Sequence, residues 1–267
     1  MLNRRKFYIN GHWIDPVESF EFNVINPSTE QACAQISLGS EADTNNAVDA
    51  ASKAFPAWAL TSKNERLEFL TSILENYKDR SNEMADLISL EMGAPIDLSR
   101  RSQVSAGEGH IKSIIRALKG FEFEKPLGSH APDNRIFYEP IGVAALITPW
   151  NWPMNQVSLK VIAALAAGCT MVLKPSEIAP LSAMLFADII HDSKLPAGVF
   201  NLINGNGKGV GTSLSGHKNV DIVSFTGSTR AGIEISKNAA DSVKRVSLEL
   251  GGKGANIVFS DADKNAI

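Results

Sequence analysis

Five short apolar runs decide the fold of this chain: "GVAALI" (142–147), "TMVLK" (170–174), "VFNLI" (199–203), "DIVSF" (221–225) and "RVSLEL" (245–250). They are rich in β-branched and aliphatic residues, as buried strands are. Helical patterns separate them, at 153–167, 181–194, 208–216 and 228–240. This alternation predicts an α/β fold with a doubly wound parallel sheet and right-handed crossovers.

The first 140 residues have a different organisation. Asn10-Gly11, between alternating apolar residues, predicts a β-hairpin, and residues 18–38 read as further short strands. Residues 40–118 show helical periodicity, with a break at Gly93 and Pro95. Residues 119–140 contain short extended pieces, which we interpret as an exposed β excursion from the main domain.

Bulk composition narrows the function classes. The formal net charge is −3, so no excess of basic residues favours nucleic acid or an anionic membrane. The start has no apolar stretch of signal-peptide length, and the most apolar segment, 141–150, is too short to span a bilayer. Two cysteines make neither a disulfide framework nor a zinc site. We therefore expect a cytoplasmic protein.

Ligands of open α/β sheets bind beyond the carboxyl ends of the strands. The segments that follow the five runs carry glycine, proline, hydroxyl, amide or charge. In one of them, Gly227 and Ser228 lie between a strand and a helix, which suits a diphosphate, although plain N-capping by Ser228 is an equal alternative. These segments are "ITPWNWP", "LKPSE", "INGNGKGVG", "SFTGSTRAG" and "LELGGK".

Four side chains in these segments, which we call the strand exits, are candidates for ligand binding or catalysis. Lys174 and Glu177 could share the two hydroxyls of a ribose, but a glutamate at a helix start is more often there for the helix dipole. Asn151 could donate a hydrogen bond to an oxyanion, or it could simply be a residue that favours a turn. Glu249 faces away from Leu248 and Leu250 and could act as a base, or be an exposed strand residue.

Taken together, the exits resemble the aldehyde dehydrogenase superfamily. The residues that carry the resemblance are "PWNWP" (149–153), "LKPSE" (173–177), "FTGST" (225–229) and "LELGGK" (248–253), with "NPSTEQ" and "FPAWA" upstream. The resemblance covers essentially the whole chain. It implies NAD-dependent oxidation of an aldehyde to a carboxylic acid through a cysteine thioester, with Asn151 in the oxyanion hole and Glu249 as the general base.

The resemblance also implies where the cofactor binds. Lys174 and Glu177 would hold the adenosine ribose, and the Glu177 carboxylate would disfavour a 2′-phosphate, so NAD is expected while use of NADP stays open. The remaining cofactor residues would be Gly207 and Gly211 near adenine, Gly227 and Ser228 at the diphosphate, and Ile147, Thr148, Trp150 and Leu250 elsewhere in the pocket.

The resemblance further implies a division into domains. Residues 1–118 and 141–250 would form the NAD-binding domain, 119–140 the β oligomerisation arm of a dimer or tetramer, and 251–267 the start of a catalytic domain. The family's nucleophilic cysteine would lie beyond Ile267, and neither Cys33 nor Cys169 is a credible substitute. This chain is thus expected to lack turnover by itself. A non-catalytic dinucleotide-binding or assembly module from a shortened gene is the alternative.

Overall fold

The computed structural model describes residues 1–263 and 265. Strands are short and helices account for most of the first 120 residues. The strands are β1 Leu2–Arg4, β2 Phe7–Ile9, β3 His12–Ile14, β4 Phe20–Asn26, β5 Gln31–Leu38, β6 Glu124–Pro126, β7 Arg135–Phe137, β8 Val143–Ile147, β9 Thr170–Lys174, β10 Phe200–Leu202, β11 Ile222–Thr226 and β12 Arg245–Glu249. The helices are α1 Glu41–Ala59, α2 Lys63–Asp79, α3 Ser81–Met92, α4 Ile96–Leu98, α5 Ser105–Gly120, α6 Pro153–Ala167, α7 Leu181–Asp192, α8 Thr212–Gly216 and α9 Thr229–Ala240.

A sheet of seven strands lies at the centre of the described part of the chain, in the order β12-β11-β8-β9-β10-β2-β3. The five strands from β12 to β10 are parallel. From β8 the chain moves outward through β9 and β10 on one side and through β11 and β12 on the other. The predicted doubly wound parallel sheet is therefore confirmed, and its topological switch point lies between β8 and β11.

Helices cover both faces of this sheet. The core on one face joins Ala144 and Leu146 of β8 to α6 and α7, with α2, α3 and α5 packed outside them. The core on the other face joins Val143, Ala145 and Ile147 of the same strand to α1, α8 and α9. Strict alternation along β8 supplies both cores, which explains why the strand reads as an uninterrupted apolar run.

The predicted hairpin at Asn10-Gly11 is confirmed, with φ values of 53° and 80° at the two turn residues. Sequence reasoning did not foresee that this hairpin extends the main sheet. Its first strand, β2, pairs antiparallel with β10, and beside this pairing Asn201 Oδ1 accepts from the Asn10 N–H at 2.9 Å. Strands β1, β5 and β4 form a separate three-stranded sheet.

Two predicted helix boundaries were wrong. The helix predicted over 181–194 ends at Asp192, because Lys194 adopts a left-handed φ of 59° that a helix cannot contain. The helix predicted over 208–216 is a π-helical segment, Gly207–Gly211, followed by α8. Asn206 caps that segment by accepting from the Gly209 N–H at 2.7 Å.

The excursion over 119–140 contains a two-stranded antiparallel ribbon, β6 with β7. Phe137 on this ribbon is 62% exposed. In residues 1–263 and 265, no helix is long and apolar enough to cross a membrane.

Candidate functional site

A polar cleft of about 560 Å³ opens at the carboxyl ends of β8, β9 and β11, at the topological switch point. Its walls come from α8, α9, the π-helical segment before α8 and the loops after the three strands. Nine residues predicted from the sequence line it together: Ile147, Thr148, Trp150, Lys174, Glu177, Gly207, Gly211, Gly227 and Ser228. Since they come from four separate segments, this cleft is the candidate functional site.

The N-terminus of α9 points into the cleft. Ser228 is its N-cap, and the hydroxyl of that serine accepts from the Ala231 N–H at 3.3 Å. The capping role weighed in the sequence analysis is therefore real, but it uses only one of the free N–H groups of the first turn. Helix geometry leaves the N–H groups of Thr229 and Arg230 without intrahelical acceptors, so the end of α9 can still receive an anion.

Lys174 and Glu177 form an ion pair on the cleft floor. The Lys174 side chain is almost fully buried, and its Nζ donates to the Pro175 carbonyl at 2.9 Å and to Glu177 Oε2 at 3.4 Å. Burial lowers the pKa of the Lys174 ammonium, and the Glu177 carboxylate opposes that shift. A fixed donor next to a fixed acceptor can bind a pair of neighbouring hydroxyls.

Two buried hydroxyls in the cleft make no hydrogen bond to any other described residue: Thr148 Oγ1 and Thr226 Oγ1. Thr148 is only 4% exposed. Buried hydroxyls normally have a partner, so a cleft with two unpartnered ones is incomplete without a polar ligand or water. Sequence reasoning placed Thr148 in the cofactor pocket, and it missed Thr226.

Asn151, Glu249 and Leu250 were also predicted as site residues, and they do not line the cleft. Asn151 is exposed in the loop between β8 and α6. The carbonyl of Glu249 accepts from the Gly227 N–H at 3.0 Å, which places the end of β12 beside the anion-binding turn. Leu250 packs against α9 at Gly232.

The Glu249 side chain belongs to the α6 face of the sheet. Its strand neighbour Leu248 packs into the core on the α9 face, so alternation directs the carboxylate the other way. On that side Lys160 of α6 donates from Nζ to Ser224 Oγ at 2.9 Å. Burial lowers the pKa of Lys160, and the negative charge of Glu249 opposes the shift, so the two groups share one electrostatic environment.

Neither cysteine lies near the cleft. Cys169 is buried just before β9 begins, at the other end of that strand from Lys174. Burial raises the pKa of its thiol. Cys33 lies in β5, in the three-stranded sheet, and its Sγ donates to the Val24 carbonyl at 3.4 Å. Burial also raises the pKa of the Cys33 thiol. Both thiols are thus held away from the thiolate form that a nucleophile requires.

The structure adds cleft residues that sequence reasoning missed. Arg230 lies in the first turn of α9, and its place directly after "FTGST" was an available signal. Lys208 follows Gly207, also within a motif already quoted. Ser215 and Asn238 had no signal, because neither lies within a quoted motif and the two meet only when α8 packs on α9.

A second pocket, of about 330 Å³, lies between α5, α6 and the 119–140 excursion. Ile114, Phe121, Phe123 and Tyr138 line it, and few polar atoms reach it. Because no convergent donors or acceptors are present there, the polar cleft is the better candidate for specific chemistry. In residues 1–263 and 265, no group of three or more His, Cys, Asp or Glu side chains is placed to hold a metal ion.

Comparison with known proteins shows the family to which this α/β chain belongs. The profile described as "Aldehyde dehydrogenase family" matches residues 13–267. The chain belongs to the aldehyde dehydrogenase family. A 3-succinoylsemialdehyde-pyridine dehydrogenase of a Pseudomonas species is 52% identical over 264 residues, which cover 98% of this chain and 54% of that protein.

Solved structures of aldehyde dehydrogenases also resemble this chain. The crystal structure of an aldehyde dehydrogenase from Bartonella henselae superposes with a TM-score of 0.96 at 60% identity, over 100% of this chain and 56% of that one. A mutant of aldehyde dehydrogenase C from Pseudomonas syringae, in complex with NAD+ and octanal, superposes with a TM-score of 0.93 at 48% identity, over 97% of this chain and 53% of that one. The chain thus spans about half the length of the relatives it matches.

Proposed function

We propose that this chain binds NAD+ in the polar cleft and supplies the cofactor half of an enzyme that oxidises an aldehyde to a carboxylic acid. The observation that carries the proposal is the cleft itself, in which unpartnered hydroxyls, an ion pair and a helix N-terminus converge at the switch point. NAD+ in the Pseudomonas syringae relative supports the choice of ligand.

The groups in the cleft match the successive parts of a dinucleotide. The first turn of α9, at Gly227 and Ser228, suits the diphosphate. The pair Lys174 and Glu177 suits the adenosine ribose, since one donates to and the other accepts from its hydroxyls. Residues on the adenine side would be Gly207 and Gly211, and Ile147, Thr148 and Trp150 would complete the cofactor pocket. Leu250, which packs on Gly232 outside the cleft lining, would lie near the nicotinamide.

We propose NAD rather than NADP because of Glu177. A 2′-phosphate on the ribose would bring a second negative charge next to the carboxylate that pairs with Lys174. Glu177→Gln removes this repulsion and leaves the Lys174 ammonium available. It is expected to raise the affinity for NADP+ relative to NAD+ by about tenfold, because repulsion between two like charges in a partly buried site costs about 1–2 kcal/mol. An unchanged affinity ratio in titrations of the two nucleotides would contradict this assignment.

The chemical step needs groups that this chain would place around the substrate carbonyl. Asn151 would donate from its side-chain amide to the oxyanion that forms when a thiolate adds to the aldehyde. The nicotinamide ring, when bound, supplies the acceptor for a hydride. Glu249 would then take a proton from the water that cleaves the thioester to the carboxylic acid. Lys160 and Ser224 would support Glu249 from the α6 face.

The thiolate would come from outside these 267 residues. Cys33 and Cys169 are distant from the cleft, and burial raises the pKa of both thiols. The named relatives include one called after a pyridine semialdehyde and one crystallised with octanal. These compounds share only the aldehyde group, so we propose an aldehyde as the substrate class.

The domain assignment is part of the same proposal. Residues 1–118 and 141–250 build the NAD-binding domain, and the ribbon β6–β7 within 119–140 serves as the oligomerisation arm of a dimer or tetramer. Residues 251–267 lead into the catalytic domain; of these, Lys264, Ala266 and Ile267 lie outside the described residues. The exposed Phe137 on β7 supports an arm that pairs with another subunit.

The test uses the purified 267-residue chain. Titration with NAD+ is expected to show one saturable site per chain, whereas addition of octanal to the complex is expected to give no fluorescence of reduced nicotinamide. Absence of saturable binding would contradict the cofactor assignment. Turnover that survives replacement of both cysteines would contradict the cysteine mechanism, and binding without turnover in every longer form of the protein would favour a non-catalytic binding module.

A further inference from the structure

A polar pair closes the cleft at the end away from β8. Ser215 on α8 is fully buried, and Asn238 on α9 is half-buried beside it. The Asn238 Nδ2 donates to Ser215 Oγ at 3.1 Å, and Ser215 Oγ donates in turn to the Thr212 carbonyl at 3.1 Å. Both residues line the cleft, yet neither has a role in the capping or ion pairs described above.

This chain of hydrogen bonds fixes which way the Asn238 amide points. The single hydroxyl proton of Ser215 is used on the Thr212 carbonyl, so Ser215 Oγ can only accept from Asn238. The amide must therefore present its NH₂ to Ser215 and turn its oxygen outward. Among the described residues, Asn238 Oδ1 has no hydrogen-bond donor, which leaves a fixed acceptor at this end of the cleft.

The position of that acceptor matches one part of a dinucleotide. Ten residues separate Ser228 from Asn238 on the same helix, which corresponds to about 15 Å along its axis. A diphosphate at the first turn of α9, a ribose at Lys174 and Glu177, and then a base would extend along α9 toward Asn238. With the dinucleotide in this orientation, the base would lie toward the end of the cleft that Ser215 and Asn238 line.

We propose that Asn238, oriented by Ser215, reads the base of the dinucleotide as a 6-aminopurine. Its Oδ1 accepts from the exocyclic amino group of adenine, in the way asparagine recognises adenine elsewhere. Hypoxanthine carries an oxygen at the same position, so two acceptors would face each other and one hydrogen bond would be lost. This inference rests on the proposed function, because it takes the cleft to bind an adenine dinucleotide.

The experiment compares NAD+ with nicotinamide hypoxanthine dinucleotide, in which C6 of the base carries an oxygen in place of the amino group and N1 carries a proton. Calorimetric titration of the 267-residue chain is expected to give a dissociation constant about tenfold lower for NAD+, the discrimination that one well-placed base contact provides. If NAD+ does not bind, both the proposed function and this inference fail. If NAD+ binds and the two dinucleotides have equal affinities, only this inference fails.

Two variants test the mechanism. Asn238→Ala is expected to weaken NAD+ binding severalfold and to bring the two affinities within about twofold of each other. Ser215→Ala frees the amide to rotate, so it is expected to remove the discrimination while NAD+ affinity stays within about threefold. Ser236→Ala, on α9 outside the cleft, is the matched control and is expected to keep the tenfold ratio. A ratio that survives Asn238→Ala in a chain with unchanged circular dichroism would overturn the inference.

Discussion

Replacing Glu91 by alanine is expected to destabilise the chain by about 3–5 kcal/mol at pH 5. Glu91 is fully buried on α3 and caps a different helix, α7, whose own N-cap position is Pro180 with no side-chain acceptor. Its carboxyl group accepts from the Leu181 N–H, from the Ser182 N–H at 3.0 Å and from the Ser182 hydroxyl at 2.6 Å.

The magnitude follows from that hydrogen-bond count. Alanine leaves two buried backbone N–H groups without acceptors, at about 1–3 kcal/mol each, and adds a small cavity. Glu91→Gln keeps one oxygen but turns an NH₂ group toward a donor, so we expect about half the loss. Glu83→Ala, at an exposed position on α3 where the carboxylate pairs with Arg80, is the control and should cost about 0.5 kcal/mol or less.

The effect of Glu91 also depends on pH. Burial raises the pKa of its carboxyl group to about 7, and the three hydrogen bonds oppose this rise without cancelling it. Because the folded-state pKa lies above the unfolded value, the contribution of the carboxyl group is fully present below about pH 4.5 and is lost as pH rises through 7. The stability advantage of wild type over Glu91→Gln should therefore shrink by about 2–3 kcal/mol between pH 5 and pH 8.

The assay is urea unfolding followed by circular dichroism at pH 5, 6, 7 and 8 for wild type and the three variants. A loss below about 1 kcal/mol in Glu91→Ala would refute the capping argument, since at least one buried N–H would then have found another acceptor. A difference between wild type and Glu91→Gln that grows with pH would refute the assigned direction of the pKa shift.

Three further predictions concern stability and association. Val243, a β-branched residue at φ 52° and 89% exposed, is strained, so Val243→Gly should raise the free energy of unfolding by about 1 kcal/mol in urea titration. Arg66 is buried and donates to carbonyls at the ends of α1 and α6, so Arg66→Met should cost about 3 kcal/mol by the same assay; a loss under 1 kcal/mol would show that water replaces it. Ile257 and Phe259 are 71% and 72% exposed, so the chain should self-associate in sedimentation velocity and the double variant Ile257→Lys, Phe259→Asp should not; equal sedimentation would contradict this.

The parallel part of the main sheet could be predicted from the sequence, because each of its strands has its own apolar run. It also placed Gly227, Lys174 and Glu177 in one cleft, because the carboxyl ends of parallel strands meet at one edge. Local pattern and tertiary position coincide for such residues.

Other features could not be found in this way. The hairpin at Asn10-Gly11 extends the main sheet through contacts with β10, one of them between Asn10 and Asn201, 191 residues apart in the chain. The pair Ser215 and Asn238 arises from the packing of two helices, and neither residue is unusual in its own segment. Glu91 reads as one more surface glutamate of an amphipathic helix until α7 packs on it. Contacts between distant segments leave no local signal.

The central claim is that the polar cleft binds NAD+, and one matched pair of variants tests it most directly. A β-carbon at Gly207, in the cleft wall, or at Gly109, on α5, would meet no atom of another segment within 4 Å, so a side chain can leave the backbone at either position without a clash at its β-carbon. In calorimetric titration with NAD+, Gly207→Phe should abolish saturable binding, and Gly109→Phe should bind as wild type does. Undiminished binding by Gly207→Phe, or no binding by wild type, would contradict the account.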